Sequence, residues 1–318
     1  MSGEFDAIRR HFTYPAPGAV LGVGDDAALL RVAPRMELAV SADMLVSGRH
    51  FLPDADAADL GHKTLAVNLS DMAAMGAAPR WATLAIALPR IDDRWLAAFM
   101  RGFMRLARRH GTDLVGGDTT RGPLTLSVQI MGEVPRGAAL RRDAARAGDD
   151  VWVSGTIGDA ALALAAIDGR VDVPQPSLAK LRQRLDRPTP RVALGLALRG
   201  IARSAIDVSD GLVADLGHIC ARSGLAAEID VDALPKSTAL KACDDVRAVR
   251  AAQLCGGDDY ELCFTAPRAA REAVRAAARQ ARVPVACIGR MLRGESRVRV
   301  LSAGRELRLP RGGYDHFR

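Results

Sequence analysis

The sequence lacks several features that would assign it to a class at once. It has no run approaching the roughly 18 uncharged apolar residues that a membrane span requires, and its first residues carry acids and arginines where a signal peptide has an apolar run. Its five cysteines are odd in number, fall in the C-terminal third and show no CxxC spacing, which argues against a disulfide framework and a zinc site. We expect a cytoplasmic protein with reduced thiols and no membrane contact.

Aromatic residues and lysine are also scarce. Aromatics make up 4% of the chain, and only four of its 44 basic residues are lysine, so arginine supplies nearly all the positive charge behind the net +7. These arginines are scattered and lack the interleaved aromatics of a nucleic-acid stacking surface. An RNA-binding protein, whose affinity would fall steeply with salt, remains an alternative, but we expect no nucleic-acid partner. A basic field also attracts anionic nucleotides.

The familiar nucleotide-binding motifs are missing. There is no GxxxxGK[ST], no GxGxxG opening a suitable βαβ unit and no kinase HRD/DFG set. The chain is nevertheless 318 residues long, which favours two domains. The irregular segment 136–150, rich in Arg, Ala and Gly, predicts a boundary that separates residues 1–146 from residues 147–318.

Short apolar runs alternate with helical patterns in both halves, which predicts an α/β (α+β layered) fold. The pattern at Asp92–Arg109 begins with acids and stops at Gly111, a natural C-cap. The segment Pro188-Thr189-Pro190 opens a helix that we expect to run to about Arg203, and the pattern of Asp210–Ser223 predicts a helix closed by Gly224.

The most informative feature is a set of carboxylates beside Gly or Ser at the ends of these elements. They occur in Gly24-Asp25-Asp26, Ser41-Ala42-Asp43, Asn68-Leu69-Ser70-Asp71, Gly116-Gly117-Asp118, Asp207-Val208-Ser209-Asp210-Gly211 and Gly256-Gly257-Asp258-Asp259. Any one alone reads as a turn or a helix cap. Six together would repel unless a cation lay between them, and Mg²⁺ prefers a few carboxylates together with substrate phosphates. The set therefore indicates metal-assisted phosphoryl transfer, which needs positioning and electrostatics.

Three further features, a glycine pair, an arginine and a histidine, each allow more than one interpretation. Gly116-Gly117 would let backbone N–H groups approach a phosphate closely, although a lone GGD is a weak signal. Arg142 could bind phosphate oxygens in a bidentate manner or be a plain surface arginine. His50 could donate to a substrate or serve the fold.

In this order the motifs resemble one family across nearly the whole chain. The segments are GVGDDAALL, SADMLVSGRHF, KTLAVNLSDMAAMGAAPRW, LVGGDTTRGPL, SAIDVSDGL, GGDDYELCF and GGYDHF. They resemble the bacterial thiamine-monophosphate kinases. The resemblance implies direct transfer of the ATP γ-phosphate to thiamine monophosphate, giving thiamine diphosphate, with several Mg²⁺ ions and no protein nucleophile or base. It also implies a fold like that of aminoimidazole ribonucleotide synthetase and a homodimer joined through the sheet of residues 1–146, the domain that would bind ATP and Mg²⁺.

The resemblance also assigns roles to single positions. It implies Mg²⁺ contacts at Asp26, Ser41, Ala42 (through its carbonyl), Asp43, Asp71, Asp118, Asp207 and Asp210. It implies ATP contacts at Gly117, Asp118, Arg142 and Ser209, and substrate contacts at His50, Asp258 and Tyr314. Position 258 is often Glu in the family, whereas this chain has the shorter Asp.

Other functions are compatible with the same residues. Selenophosphate synthetases, hydrogenase-maturation ATPases and purine-biosynthesis synthetases share the implied fold. The first would carry a reactive Cys near the N-terminus, but no Cys precedes Cys220. The second would end in Cys, and this chain ends in Phe317-Arg318. A non-catalytic module that binds nucleotide or divalent ions is a further alternative.

Overall fold

Residues 4–307 are described by a computed structural model of the chain. They form two units, each with its own sheet: the first comprises the residues up to 72 together with 77–137, and the second comprises 73–76 together with those from 138 onward. The α/β fold class is confirmed. The domain boundary between 146 and 147 stays a prediction. Among the described residues, no helix has both the length and the apolar character needed to cross a membrane.

The first unit is a four-stranded sheet whose inner face is covered by helices. Its elements are α1 Glu4–Ala7, a π-turn Ile8–Phe12, β1 Met36–Val46, α2 Ala57–Ala74, β2 Ala78–Leu88, α3 Asp93–His110, β3 Asp113–Arg121 and β4 Thr125–Pro135. The strand order is β1-β4-β2-β3, antiparallel except for β2 and β3. A β2–α3–β3 crossover therefore joins the one parallel pair, as parallel pairing requires.

Two glycines explain how closely α2 and α3 cross. A Cβ at Gly61 would lie 1.9 Å from the carbonyl oxygen of Phe99, and one at Gly102 would lie 1.8 Å from that of Ala58. Only glycine allows the two backbones to meet at this distance. The end of α3 follows the expected C-cap, since Gly111 adopts the left-handed conformation, and its start is capped by Asp92, which accepts from the N–H groups of Arg94 and Trp95.

The second unit is a seven-stranded mixed sheet with helices around it. Its strands are β5 Asp150–Ser154, β6 Ser204–Asp207, β7 Ala226–Asp230, β8 Leu262–Ala266, β9 Val285–Leu292, β10 Val298–Ser302 and β11 Arg305–Glu306. Its helices are α4 Asp159–Ile167, α5 Gln175–Asp186, α6 Val192–Ala197, α7 Leu212–Ser223, α8 Val246–Cys255 and α9 Arg271–Ala281, with 3₁₀ turns at Val231–Ala233, Leu240–Ala242 and Arg268–Ala270. The strand order is β11-β10-β7-β9-β5-β8-β6.

Burial explains this layering. One core joins the sheet to α7 through residues such as Val153, Ile206 and Leu216, and a second joins α4, α5 and α8. The helix expected from Pro190 to about Arg203 was wrong in length: α6 ends at Ala197, and the chain then turns through Gly200, which has a φ of 73°.

Candidate active site

The DVSDG segment forms a sharp loop between β6 and α7 that is organised by a carboxylate from the helix. Oδ2 of Asp215, in the first turn of α7, accepts from the backbone N–H groups of Ser209, Asp210 and Gly211 at 3.0, 3.1 and 3.1 Å. Burial raises the pKa of the Asp215 carboxyl to about 6, the charge of Asp210 adds to this rise, and the three N–H groups oppose it. Asp207, at the end of β6, is buried, whereas Ser209 and Asp210 are half-buried.

A second loop, GGDDY, is hydrogen-bonded along the carbonyl side of the first. The N–H of Asp258 donates to the carbonyl of Ser209 at 2.9 Å, and the N–H of Tyr260 donates to that of Val208 at 2.8 Å. The N–H of Val208 in turn donates to the carbonyl of Glu261 at 2.8 Å. A Cβ at Gly257 would lie 2.1 Å from the Ser209 carbonyl oxygen, so a larger residue there would separate the loops.

Asp258 is held in an unusual conformation by its neighbour. Both Asp258 and Tyr260 have left-handed φ values, 69° and 52°, which cost energy for residues other than glycine. The Tyr260 hydroxyl donates to Oδ1 of Asp258 at 2.9 Å. The carboxylate predicted to contact substrate is thus fixed both by its backbone and by a hydrogen bond to its side chain.

A buried ion-pair group lies directly behind these loops. The Glu261 side chain is fully buried and accepts from Arg184 Nη2 at 2.7 Å, from Arg191 Nε at 2.6 Å and from Ser154 Oγ at 2.5 Å. Arg191 also donates through Nη2. Two cations and one hydroxyl therefore satisfy a carboxylate that could not be buried alone.

Asp259 is also buried, but with fewer hydrogen-bond partners than Glu261. Its Oδ2 accepts from the N–H of Gly158 at 2.7 Å. Its Oδ1 and the Oε1 of Gln253 are both buried without a hydrogen-bond partner among the described residues. Burial raises the pKa of the Asp259 carboxyl well above its usual value, and the charges of Asp159 and Glu261 add to the rise, while the Gly158 N–H and Arg184 oppose it.

In the first unit, three predicted metal-binding positions meet on the inner, helix-covered face of the sheet. Ser41 and Asp43 alternate along β1 on this face, and Ser41 Oγ donates to Oδ2 of Asp71, on α2, at 2.5 Å. The N–H of Asp43 donates to Oδ1 of buried Asn68 at 3.2 Å. The structure thus brings Ser41, Asp43 and Asp71 together as hard oxygen donors.

Asp118 lies apart from that group. In the register of the sheet, Asp118 pairs with Ala85 on β2. Ala85 also pairs with Ser127 on β4, and Ser127 pairs with Met44 on β1. Directly paired residues share a face, so Asp118 lies on the open face opposite the helices. It is three strand spacings from β1, roughly 14 Å at the usual separation. Ala42 lies on the same open face.

The remaining predicted positions have simpler surroundings. Asp26 is exposed in the loop before β1. Nδ1 of His50 accepts from the N–H of Val46 at 3.0 Å, so Nε2 carries the hydrogen of the neutral ring. A Cβ at Gly117 would lie 1.9 Å from the Leu84 carbonyl oxygen, so strand packing alone requires glycine there.

The last two predicted positions are Arg142 and Tyr314. Arg142 is exposed, and the structure described here gives its guanidinium no carboxylate partner. Tyr314 lies outside the described residues. Within 4–307, no three His, Cys, Asp or Glu side chains gather into a group that could by itself hold a metal ion.

The sequence interpretation overlooked the residues that support the site. Tyr260 and Glu261 lie within the quoted segment GGDDYELCF, and Asp215 follows the segment SAIDVSDGL by three residues. An Asp in the first turn of a helix after a glycine-containing loop is a recognisable capping signal. Nothing in the local pattern indicates that Arg184 and Arg191, about 70 residues before Glu261, would pair with it.

Two mixed α/β units with acidic Gly- and Ser-containing loops define the class of protein. Residues 24–134 match AIR synthase related protein, N-terminal domain, and residues 146–301 match AIR synthase related protein, C-terminal domain. Within that class, the chain belongs to the thiamine-monophosphate kinase family. It is 49% identical to the thiamine-monophosphate kinase of Salmonella typhimurium over 320 residues, covering 99% of this chain and 98% of the relative.

Solved structures agree with this assignment. The crystal structure of thiamine-monophosphate kinase from Stenotrophomonas maltophilia is 52% identical, with a TM-score of 0.84 and coverage of 91% of this chain and 92% of the other. A structure described as AaThiL complexed with AMPPCP and TMP is 32% identical, with a TM-score of 0.77 and coverage of 90% and 89%. The hydrogenase maturation protein HypE of E. coli, at 24% identity and a TM-score of 0.75, shares the fold alone.

Proposed function

We propose that this protein transfers the γ-phosphate of ATP directly to thiamine monophosphate, giving thiamine diphosphate and ADP. Family membership supports this proposal, as does the related protein that binds AMPPCP and TMP. The observation that carries it in this chain is the pair of hydrogen-bonded loops. Asp207, Ser209 and Asp210, expected at the metal and nucleotide, lie on a loop joined by backbone hydrogen bonds to the loop of Asp258, expected at the substrate. Such an arrangement suits a reaction between two bound phosphates.

The donor chemistry fits Mg²⁺. Asp71, Ser41 and Asp43 in one unit, and Asp207 and Asp210 in the other, offer hard oxygen ligands. Mg²⁺ is usually held by one or two carboxylates, with waters and substrate phosphates completing the octahedron. A protein of this kind therefore needs no group of three acids preassembled at one point. We also assign Asp26, Asp118 and the carbonyl of Ala42 to this role, as the family resemblance implies.

The protein's part in the reaction is to bind and orient. Arg142, Gly117, Asp118 and Ser209 would hold the nucleotide, and His50, Asp258 and Tyr314 would hold thiamine monophosphate. Bound Mg²⁺ would neutralise charge on the transferred group. No protein base is required, because the acceptor phosphate is already ionised near neutral pH. The Nε2–H of His50 is a donor suited to an anionic or carbonyl oxygen, and its tautomer is set by Val46.

A homodimer would use the open face of the first sheet. Leu38, Val40 and Met44 are 45, 52 and 57% exposed along β1. A row of this kind is unusual on a free surface and typical of an interface. Covering it with the same face of a second copy would also bring a second chain close to Asp118. We place the reaction in the cytoplasm, since none of the five cysteines, all of which lie among the described residues, forms a disulfide.

The proposal is tested by following both products of the purified protein. With Mg·ATP, we expect ADP and thiamine diphosphate in equal amounts only when thiamine monophosphate is present. Asp210→Asn should remain folded and lose orders of magnitude in kcat, because a metal-binding carboxylate becomes a neutral amide. Asp245→Asn, on an exposed helix cap, is the matched control and should keep the wild-type rate. ADP release without thiamine diphosphate would instead assign the chain to an ATPase of the same class.

A further inference from the structure

Asp215 makes an unusual set of contacts for a helix residue. It is 3% exposed, and a single carboxylate oxygen accepts from three successive backbone N–H groups, those of Ser209, Asp210 and Gly211. Successive N–H groups that converge in this way form a concave anion site, of the kind that binds phosphate in other proteins. Here the anion is supplied by the protein's own side chain.

Occupation of this anion site has a consequence for the nucleotide. Because Asp215 takes up the three N–H groups, a phosphate cannot use them. The side chains of Asp207 and Asp210 leave the same loop as carboxylates, which repel phosphate and attract cations. The loop is therefore suited to contact a nucleotide through bound cations and not through its own amides.

The conformation of the loop at residues 207–211 is restricted by contacts on several sides. On its carbonyl side it is bound by the N–H groups of Asp258 and Tyr260. At its end Gly211 has a φ of 124°, and a Cβ there would lie 2.8 Å from the backbone of Cys255. Asp215 supplies the acceptor on the remaining side. Without it, three N–H groups would lose their partner at a half-buried to buried position, which is a costly arrangement.

We propose that Asp215 is a positioning residue that fixes Asp207 and Asp210 toward the cation of the bound nucleotide through the backbone N–H groups of Ser209, Asp210 and Gly211. This inference rests on the proposed function, since it takes these carboxylates as metal ligands. In this proposal Asp215 acts through the backbone of the loop, to which its carboxylate is hydrogen-bonded, and not by binding substrate or metal. Residues of this supporting kind commonly change metal affinity by about 10- to 100-fold when replaced.

Two variants separate positioning from simple stability. Asp215→Asn keeps the shape and one acceptor oxygen but loses the charge that strengthens the three hydrogen bonds. Asp215→Leu has a similar size and removes the acceptor altogether. Asp92→Ala is the matched control, because Asp92 also accepts from backbone N–H groups at the start of a helix, at 3.0 Å, but it is the N-cap of α3 in the first unit.

The experiment has two readouts that do not depend on turnover. Hydrogen–deuterium exchange of the peptide covering residues 208–212 reports the loop amides. Binding of Mn²⁺ in the presence of AMPPCP, followed by electron paramagnetic resonance, reports the cation site. For Asp215→Asn we expect faster exchange of this peptide and about tenfold weaker Mn²⁺ binding, with larger changes in Asp215→Leu. Asp92→Ala should match the wild type in both.

Two outcomes would overturn the inference. Weaker Mn²⁺ binding with unchanged amide exchange would assign the effect to lost charge alone. Faster exchange with unchanged Mn²⁺ binding would make Asp215 a purely structural residue. If Asp215→Leu fails to fold, Asp215→Asn decides by the same two readouts. A wild-type protein that binds Mn²⁺ and AMPPCP but forms no thiamine diphosphate would contradict the proposed function and leave this test in force. In active protein, the KM for Mg·ATP should rise while that for thiamine monophosphate stays constant.

Discussion

Replacing Glu261 by Gln tests whether the buried ion-pair group holds the site loops in place. The substitution keeps the size of the side chain but removes the negative charge that Arg184 and Arg191 share at 2.7 and 2.6 Å. It also places an amide N–H₂ group, a donor, opposite guanidinium donors. Breaking one partner of a buried ion pair costs about 3–5 kcal/mol, because the other charge is left buried without compensation.

The matched control is Glu228→Gln. Glu228 also pairs with two arginines, Arg290 at 3.0 Å and Arg299 at 3.3 Å, but these arginines are 62 and 35% exposed. Pairs of this kind contribute about 0–1 kcal/mol. Both glutamates belong to the second unit, so the two variants differ mainly in the burial of the lost charge.

The assay is urea unfolding followed by circular dichroism and fluorescence. We expect Glu261→Gln to lower the free energy of unfolding by about 3–5 kcal/mol and Glu228→Gln by less than about 1 kcal/mol. Since the Glu261 carbonyl also accepts from the Val208 N–H, the folded Glu261→Gln protein should show a reduced kcat as well. Equal losses of stability in the two variants would refute the reasoning that burial sets the energy.

Three further predictions follow from single contacts. Tyr260→Phe removes the donor to Asp258 and should raise the KM for thiamine monophosphate by roughly tenfold, which is the effect of losing one hydrogen bond to a charged group. The KM for ATP should stay the same, and an unchanged KM for both substrates would contradict the prediction. Burial raises the pKa of the Asp259 carboxyl in the folded protein well above its ordinary value of 3.8, so the contribution of this group to stability is full at low pH and is lost as the pH rises through the folded pKa. Asp259→Asn should therefore gain stability relative to the wild type as the pH rises above the ordinary range of Asp. A difference in thermal stability that stays constant with pH would count against this prediction. Val40→Lys places a charge on the open sheet face. In sedimentation this variant should have the mass of a single chain, 33.8 kDa, whereas the wild type should have twice that mass. A variant that still sediments at the doubled mass would exclude this face as the dimer interface.

Much of the fold could be predicted from local sequence. The α3 helix follows from the acidic residues at its start and from Gly111 at its end, and the structure has Gly111 as the expected C-cap, with Asp92 as the N-cap. The strand β7 at Ala226–Asp230 and the helix α5 at Gln175–Asp186 were not predicted. Both are short and weakly patterned, and their burial depends on the sheet and on α4, which are distant in sequence.

The candidate site, like the fold, could be predicted only in part from local sequence. Acidic loops are visible as Asp beside Gly or Ser, because tight turns and helix starts favour those residues. Which of these acidic positions lie close together depends on the tertiary structure. The sequence does not show that Ser41 and Asp71 touch while Asp118 lies on the other face of the sheet, since strand order and face are set by pairing. Family resemblance assigned ligands but gave no role to Asp215 or Tyr260, whose contacts appear only in the folded chain.

The central claim is direct transfer between two bound phosphates, and rapid-quench turnover with ATP labelled in the γ-phosphate tests it most directly. In the presence of Mg²⁺ and thiamine monophosphate, we expect the label to move from ATP into thiamine diphosphate, with ADP formed in equal amount and no label on the protein at any time. Labelled protein that appears before the product, or label released as inorganic phosphate without labelled thiamine diphosphate, would contradict the account.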